Sequence, residues 1–109
     1  MTMVLSYSAF CQAPASTGPT PNEVFKIAFA AYQQGNYDLA LKNFNLAITI
    51  DPSRNYFYYN RGLTYKALGN NDKALSDFKL SNELKSTAEA HYQEGLIYYE
   101  KGETEDARA

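Results

Sequence analysis

From Pro21 onward the apolar and polar positions recur at the spacing of helices rather than strands. Tyr58, Gly62 and Tyr65 fall at i, i+4 and i+7, and Ala74, Phe78 and Ser81 repeat the pattern on the following segment, so each set lies on one helix face. Between the two segments stands Gly69, followed by Asn70 and Asn71. A glycine after the last periodic residue adopts the left-handed conformation that ends a helix at little cost. Asp38 and Asp72 then lie in the first turn of the next helix, where the macrodipole favours an anion. Asp51-Pro52 closes the earlier pair, since proline lacks the donor needed to continue and restricts the residue before it. The pattern predicts helices paired through tight turns.

The pairs are copies of one another. Phe25 to Pro52 laid over Tyr59 to Ser86 matches Ala28 with Gly62, Gly35 with Gly69, Asp38 with Asp72, Ala40 with Ala74, Leu41 with Leu75 and Phe44 with Phe78, at an offset of 34 throughout. A third copy begins at Ala88, where Gly95, Tyr98, Gly102 and Ala107 answer Gly62, Tyr65, Gly69 and Ala74 at an offset of 33. The small residues Ala28, Gly62, Gly95, Ala40 and Ala74 allow close helix approach, with the rings of Tyr65 and Phe78 filling the space between.

These residues resemble the tetratricopeptide repeat, a 34-residue helix-turn-helix unit. The first copy, residues 21–54, carries Tyr32, Gly35, Tyr37, Ala40, Phe44, Ala47 and Asp51-Pro52. The second, residues 55–87, carries Tyr58, Gly62, Tyr65, Gly69, Ala74 and Phe78, and a partial third covers residues 88–109. The resemblance implies an all-α fold, a right-handed superhelical stack of antiparallel helix pairs of about two and a half repeats. Residues 1–20 have no helical period and end in a Pro, Ala, Ser, Thr and Gly cluster, so they read as a disordered leader or linker.

Three positions depart from the family pattern. Where the family usually has Leu, the second copy has Arg61 and the third Glu94, and these opposite charges are expected to pair. His91 takes the slot of a leading aromatic and is expected to be a partly buried packing residue. The residues after Gly102 read as the start of a sixth helix.

Composition narrows the chemistry. The 109 residues are 45% hydrophobic and 20% charged, with a formal net charge of -2, which suits one small domain. A pI near 5.3 without a Lys/Arg cluster lacks the electrostatic footprint of a nucleic-acid binder. No apolar run is long enough for a membrane span. One Cys and one His cannot build a structural zinc site or a disulfide framework, and no cofactor or metal is expected. There is no nucleotide-binding glycine loop, HExxH or nucleophile elbow, and the carboxylates are scattered as on solvated helix faces, so no catalytic residue is expected. Cys11 reads as an incidental exposed thiol. The apolar start leaves export open, but no Lys or Arg precedes it, which favours a cytoplasmic chain.

Ten Tyr and six Phe, with no Trp, supply a binding surface. The resemblance implies that the first helix of each pair lines a concave groove. The groove candidates are Phe25, Lys26, Phe29 and Tyr32 in the first copy, Tyr56, Tyr59, Asn60, Leu63 and Lys66 in the second, and Tyr92, Gln93, Leu96 and Tyr99 in the third. Rigid rings give contact area at low entropic cost, while Asn60 and Gln93 can hydrogen-bond a peptide backbone, so the expected partner is an extended peptide or a helix. One subclass of the family grips a terminal carboxylate with Lys, Arg and Asn. Here Asn60 matches, but Phe25, Phe29, Glu89 and Gln93 stand in the other four slots, so the groove should favour apolar side chains.

The alternative is a structural brace or self-association element. Two and a half repeats leave the fifth helix without a covering partner, a role for a longer array, a second copy or another protein. Residues near Ile97 and Tyr98 would carry that contact.

Overall fold

A computed structural model describes residues 18–108, which form five helices. They are α1 (Pro21–Gln33), α2 (Tyr37–Ile50), α3 (Asn55–Ala67), α4 (Asn71–Leu84) and α5 (Ala88–Arg108). Each packs on the next, and α1 also reaches α3. The architecture is the expected all-α stack of antiparallel helix pairs. Residues 1–17, including Cys11, lie outside the described residues.

The helix boundaries have local causes. Thr20, placed by pattern in the leader, is the N-cap of α1: its Oγ1 accepts from the Glu23 amide at 3.2 Å, and Pro21 occupies the first helical position. Gly35 and Gly69 take φ of 79° and 83°, which turns the chain between the helices of each pair. Asn36 and Asn70 follow them and cap α2 and α4, accepting from the Leu39 and Lys73 amides at 3.3 and 3.2 Å. Asp51 closes α2 and braces the bend: its carboxylate accepts from Ser53 Oγ and N and from Arg54 Nε. Those donors, the Ser53 hydroxyl foremost, hold its carboxyl down at about 2.

The core follows the small-to-large pairing of the copies. Ala28, Ala31, Ala40 and Phe44 close the α1–α2 interface, and Val24, Ala47 and Phe57 close the junction with α3. Ala74, Leu75 and Phe78 of α4 pack with Ile97 of α5, joined by Tyr59, Leu63 and Tyr65. Gly62 is required by its neighbour, since a Cβ there would stand 2.7 Å from the edge of the buried Phe78 ring.

Several expectations are corrected. Arg61 does not pair with Glu94: its Nε and Nη2 clasp Asp77 of α4 at 2.8 and 2.7 Å, and its Nη1 donates to Asn45 of α2 at 2.9 Å. Glu94 instead accepts from Asn82 at 2.8 Å. His91 is exposed, with its Nε2 hydrogen-bonded to Ser86 Oγ, rather than partly buried. The start of a sixth helix is absent, because α5 continues through Gly102. The residue after Gly102 is Glu103, where Asn36 and Asn70 supply the caps that start a new helix in the first two copies. Among the described residues nothing lies within 4 Å of a Cβ built on Gly95. Ile97 is fully buried against α4, so of the two residues named for an open end, Tyr98, half exposed, alone faces outward.

Candidate functional site

The first helices of the pairs, α1, α3 and α5, place equivalent positions in parallel rows. Phe29, Leu63 and Leu96 form an apolar row, Lys26, Asn60 and Gln93 a polar row, and Phe25, Tyr59 and Tyr92 a row of rings. A fourth row runs Asn22, Tyr56 and Glu89. The rows arise because equivalent helices inherit the same face from the repeat.

The structure uses the rings unequally. Phe25 is drawn into packing, stacked on Phe57 at 5.4 Å, tilted against Phe44 at 5.8 Å and met edge-on by Tyr56 at 5.1 Å. Tyr59 leans on Phe78 at 5.6 Å, and Leu63 supports the same cluster. Tyr32 packs beside Tyr37 at 5.6 Å, and burial, with the Tyr37 and Tyr59 phenols adding to it, pushes its hydroxyl above the usual range. Phe29 stays accessible at 37%, while Tyr92 and Tyr99 are 64% and 65% exposed. Leu96 is half-buried. Phe29, Tyr92, Tyr99 and the half-buried Leu96 are therefore the groups free to meet a ligand, whereas Phe25, Tyr59 and Leu63 also hold the fold.

The polar candidates are partly engaged. The Asn60 amide donates to the Tyr56 carbonyl one turn earlier at 2.8 Å, so it does not present that donor to a ligand. Gln93 Oε1 accepts from Lys66 Nζ at 3.0 Å, a bond that ties α3 to α5 across the groove side. Tyr56 is locked through its hydroxyl, which donates to Asn22 Oδ1 and accepts from Arg54, both at 3.0 Å. Lys26 is exposed.

Between α3 and α5 a cavity of about 170 Å³ is lined by Asn55, Tyr56, Tyr59, Thr87 and Glu89. Asn55 and Thr87 were not among the sequence candidates. Thr87 has a readable signal, a hydroxyl residue just ahead of an apolar helical run, and its Oγ1 accepts from the Ala90 amide at 3.2 Å. No group of three or more His, Cys, Asp or Glu side chains able to hold a metal occurs among the described residues. No helix among them is long and apolar enough to cross a membrane.

The family described as TPR repeat matches residues 30–69, and that described as Tetratricopeptide repeat matches residues 56–87. The chain is 37% identical over 79 residues to Protein STIP1 homolog of Dictyostelium discoideum, covering 72% of this chain and 14% of that one. It is 36% identical over 89 residues to Photosystem I assembly protein Ycf3 of Acaryochloris marina, covering 78% and 54%. The chain thus spans at most about half the length of these two relatives. Among solved structures, the Sgt2 TPR domain from Aspergillus fumigatus aligns with a TM-score of 0.70 at 22% identity, over 79% of this chain and 62% of that one.

Proposed function

Because the chain belongs to the tetratricopeptide repeat family, whose repeats are protein-interaction modules, we propose that its α1–α3–α5 face binds a short segment of a partner protein, as an adaptor or scaffold. The observation that carries this reading is the row of Phe29, Leu63 and Leu96 beside Tyr92, with Phe29 and Tyr92 exposed and the leucines half-buried, set on helices that the core fixes in place. Rings and branched side chains on a rigid frame are the usual anchors of peptide recognition. Burial of one such group contributes about 1.5–3 kcal/mol before ordering costs, so three or four engaged groups supply the larger part of the roughly 8 kcal/mol of micromolar affinity.

The bound segment should be apolar rather than a terminal carboxylate. On this face Lys66 is tied to Gln93, Lys26 stands apart on α1, and the cavity carries Glu89 where a carboxylate would have to enter. The chain is similar to Protein STIP1 homolog and to Hsp70-Hsp90 organizing protein 2 of Arabidopsis thaliana, yet on its own face Phe25, Phe29, Glu89 and Gln93 stand in four of the five slots of a carboxylate grip. Catalysis, nucleic-acid binding and cofactors form no part of the reading.

Selection of a displayed random-peptide library on the wild-type chain, followed by affinity measurement, tests it. Peptides enriched on wild type should bind the Phe29→Ser, Tyr92→Ser, Leu96→Ser variant at least about tenfold more weakly, with helix content unchanged. Equal affinity would remove the groove from the function. Tyr59 is not substituted, because its ring supports Phe78.

A further inference from the structure

The cavity between α3 and α5 has a chemistry of its own. At about 170 Å³ it is smaller than the roughly 300–1,000 Å³ of a small-molecule site and matches a single long side chain. Its wall is aromatic and fixed: Tyr59 rests on Phe78, and Tyr56 is held edge-on by Phe25 and Phe57 with its hydroxyl bonded to Asn22 and Arg54. Its rim carries Glu89, exposed on the first turn of α5, which makes neither an ion pair nor a hydrogen bond among the described residues. Asp51, Asp72 and Asp77 each hold a cation and Glu94 accepts from Asn82, while Glu23, Asp38 and Glu83, like Glu89 without a partner among the described residues, do not line the cavity.

No side-chain cation among the described residues is bonded to Glu89. Arg54 reaches the wall through the Tyr56 hydroxyl but is itself paired with Asp51 at 2.8 Å. Lys66 is held by Gln93. Two helix starts border the cavity, and their roughly half positive charges together about offset the charge of one carboxylate. The α5 start is also met by the Thr87 hydroxyl, while that of α3 has no side-chain cap. An anion is therefore the competing occupant.

We infer that this cavity receives a Lys or Arg side chain of the bound segment, its aliphatic stem against Tyr56 and Tyr59 and its cationic head at Glu89. An apolar stem ending in a cation is the side-chain class that matches an aromatic wall ending in a carboxylate. Ring faces add attraction for the cation. The inference rests on the peptide-binding reading above and gives the groove a basic specificity position within an apolar sequence.

The same displayed library, selected in parallel on wild type, Glu89→Gln and Glu89→Lys, tests it. Wild type should enrich Arg or Lys at one position, Glu89→Gln should lose that preference, and Glu89→Lys should replace it with Asp or Glu while the apolar positions stay unchanged. For a synthetic peptide from the wild-type selection, replacing that arginine by citrulline should weaken binding about three- to tenfold, and the loss should vanish in Glu89→Gln. A neutral or acidic preference in wild type, or a basic preference that survives Glu89→Lys, overturns the inference. Peptides that depend on Phe29 and Leu96 but ignore Glu89 overturn it and leave peptide binding standing, whereas no enrichment at all removes both.

Discussion

The same repeat slot can place opposite demands on one residue type. Gly62 and Gly95 are equivalent, yet a Cβ at Gly62 meets the fully buried Phe78 ring at 2.7 Å while one at Gly95 meets nothing within 4 Å. Gly62→Ala should therefore lose about 1–2 kcal/mol despite its helix propensity, and Gly95→Ala should gain about 0.5–1 kcal/mol, both read from urea unfolding. Ser81 is fully buried with no hydrogen-bond partner for its Oγ among the described residues, and the equivalent residue in the first copy is Ala47, also fully buried. Ser81→Ala should raise stability by about 1 kcal/mol. The Arg61–Asp77 pair is a stronger case, because the Asp77 side chain is only 3% exposed and the two heads meet through two bonds. Arg61→Leu alone should cost about 3–5 kcal/mol by stranding a buried carboxylate, while Arg61→Leu with Asp77→Leu should restore most of it. The repeat slot that Arg61 shares with Glu94 pointed to the wrong partner. The signal lay in the register: Gly62 touches Phe78, so Arg61 and Asp77, each one residue earlier, fall within reach of a long side chain.

At the scale of the element, the turns were legible and the caps were not. Gly35 and Gly69 are where the repeat placed them, since only a left-handed residue reverses the chain so tightly. The capping work of Asn36 and Asn70 escaped because an asparagine after a glycine also reads as an ordinary turn residue. Thr20 escaped because it closes a low-complexity stretch, although Thr20-Pro21-Asn22-Glu23 has the spacing of a capping box. The uninterrupted α5 follows the same logic in reverse: a glycine without an asparagine after it did not end the helix. Asn36→Ala and Asn70→Ala should each cost about 1 kcal/mol in thermal or chemical unfolding. Asp51, whose carboxyl falls to about 2 from an ordinary 3.8, stabilises the α2–α3 bend above pH 4 or so, and that contribution is lost as the pH falls toward 2. Side-chain carbon shifts followed by NMR should show Asp51 titrating near 2, and titration at the ordinary value would break the account of the bend.

Across the whole molecule the stack was the most legible property, because two copies at one offset encode both a pair and its neighbour. The division of labour among the rings was not. Phe25, Tyr59 and Tyr92 occupy one row, but Phe25 and Tyr59 sit where neighbouring helices converge, while Tyr92 lies on α5, which among the described residues packs chiefly on α4. Sequence spacing assigns a face and cannot tell how much of that face its neighbours cover. The central claim, that the α1–α3–α5 face is where a partner segment binds, has a direct measurement. A library-selected peptide would be titrated into the isotope-labelled wild-type chain while the amide shift of every residue is followed by NMR. The account predicts that the largest changes fall on Phe29, Leu63, Tyr92 and Leu96, with the back of α2 and α4 unmoved. Changes centred on Gly95 and Tyr98 instead would contradict it and move the function to the open side of α5.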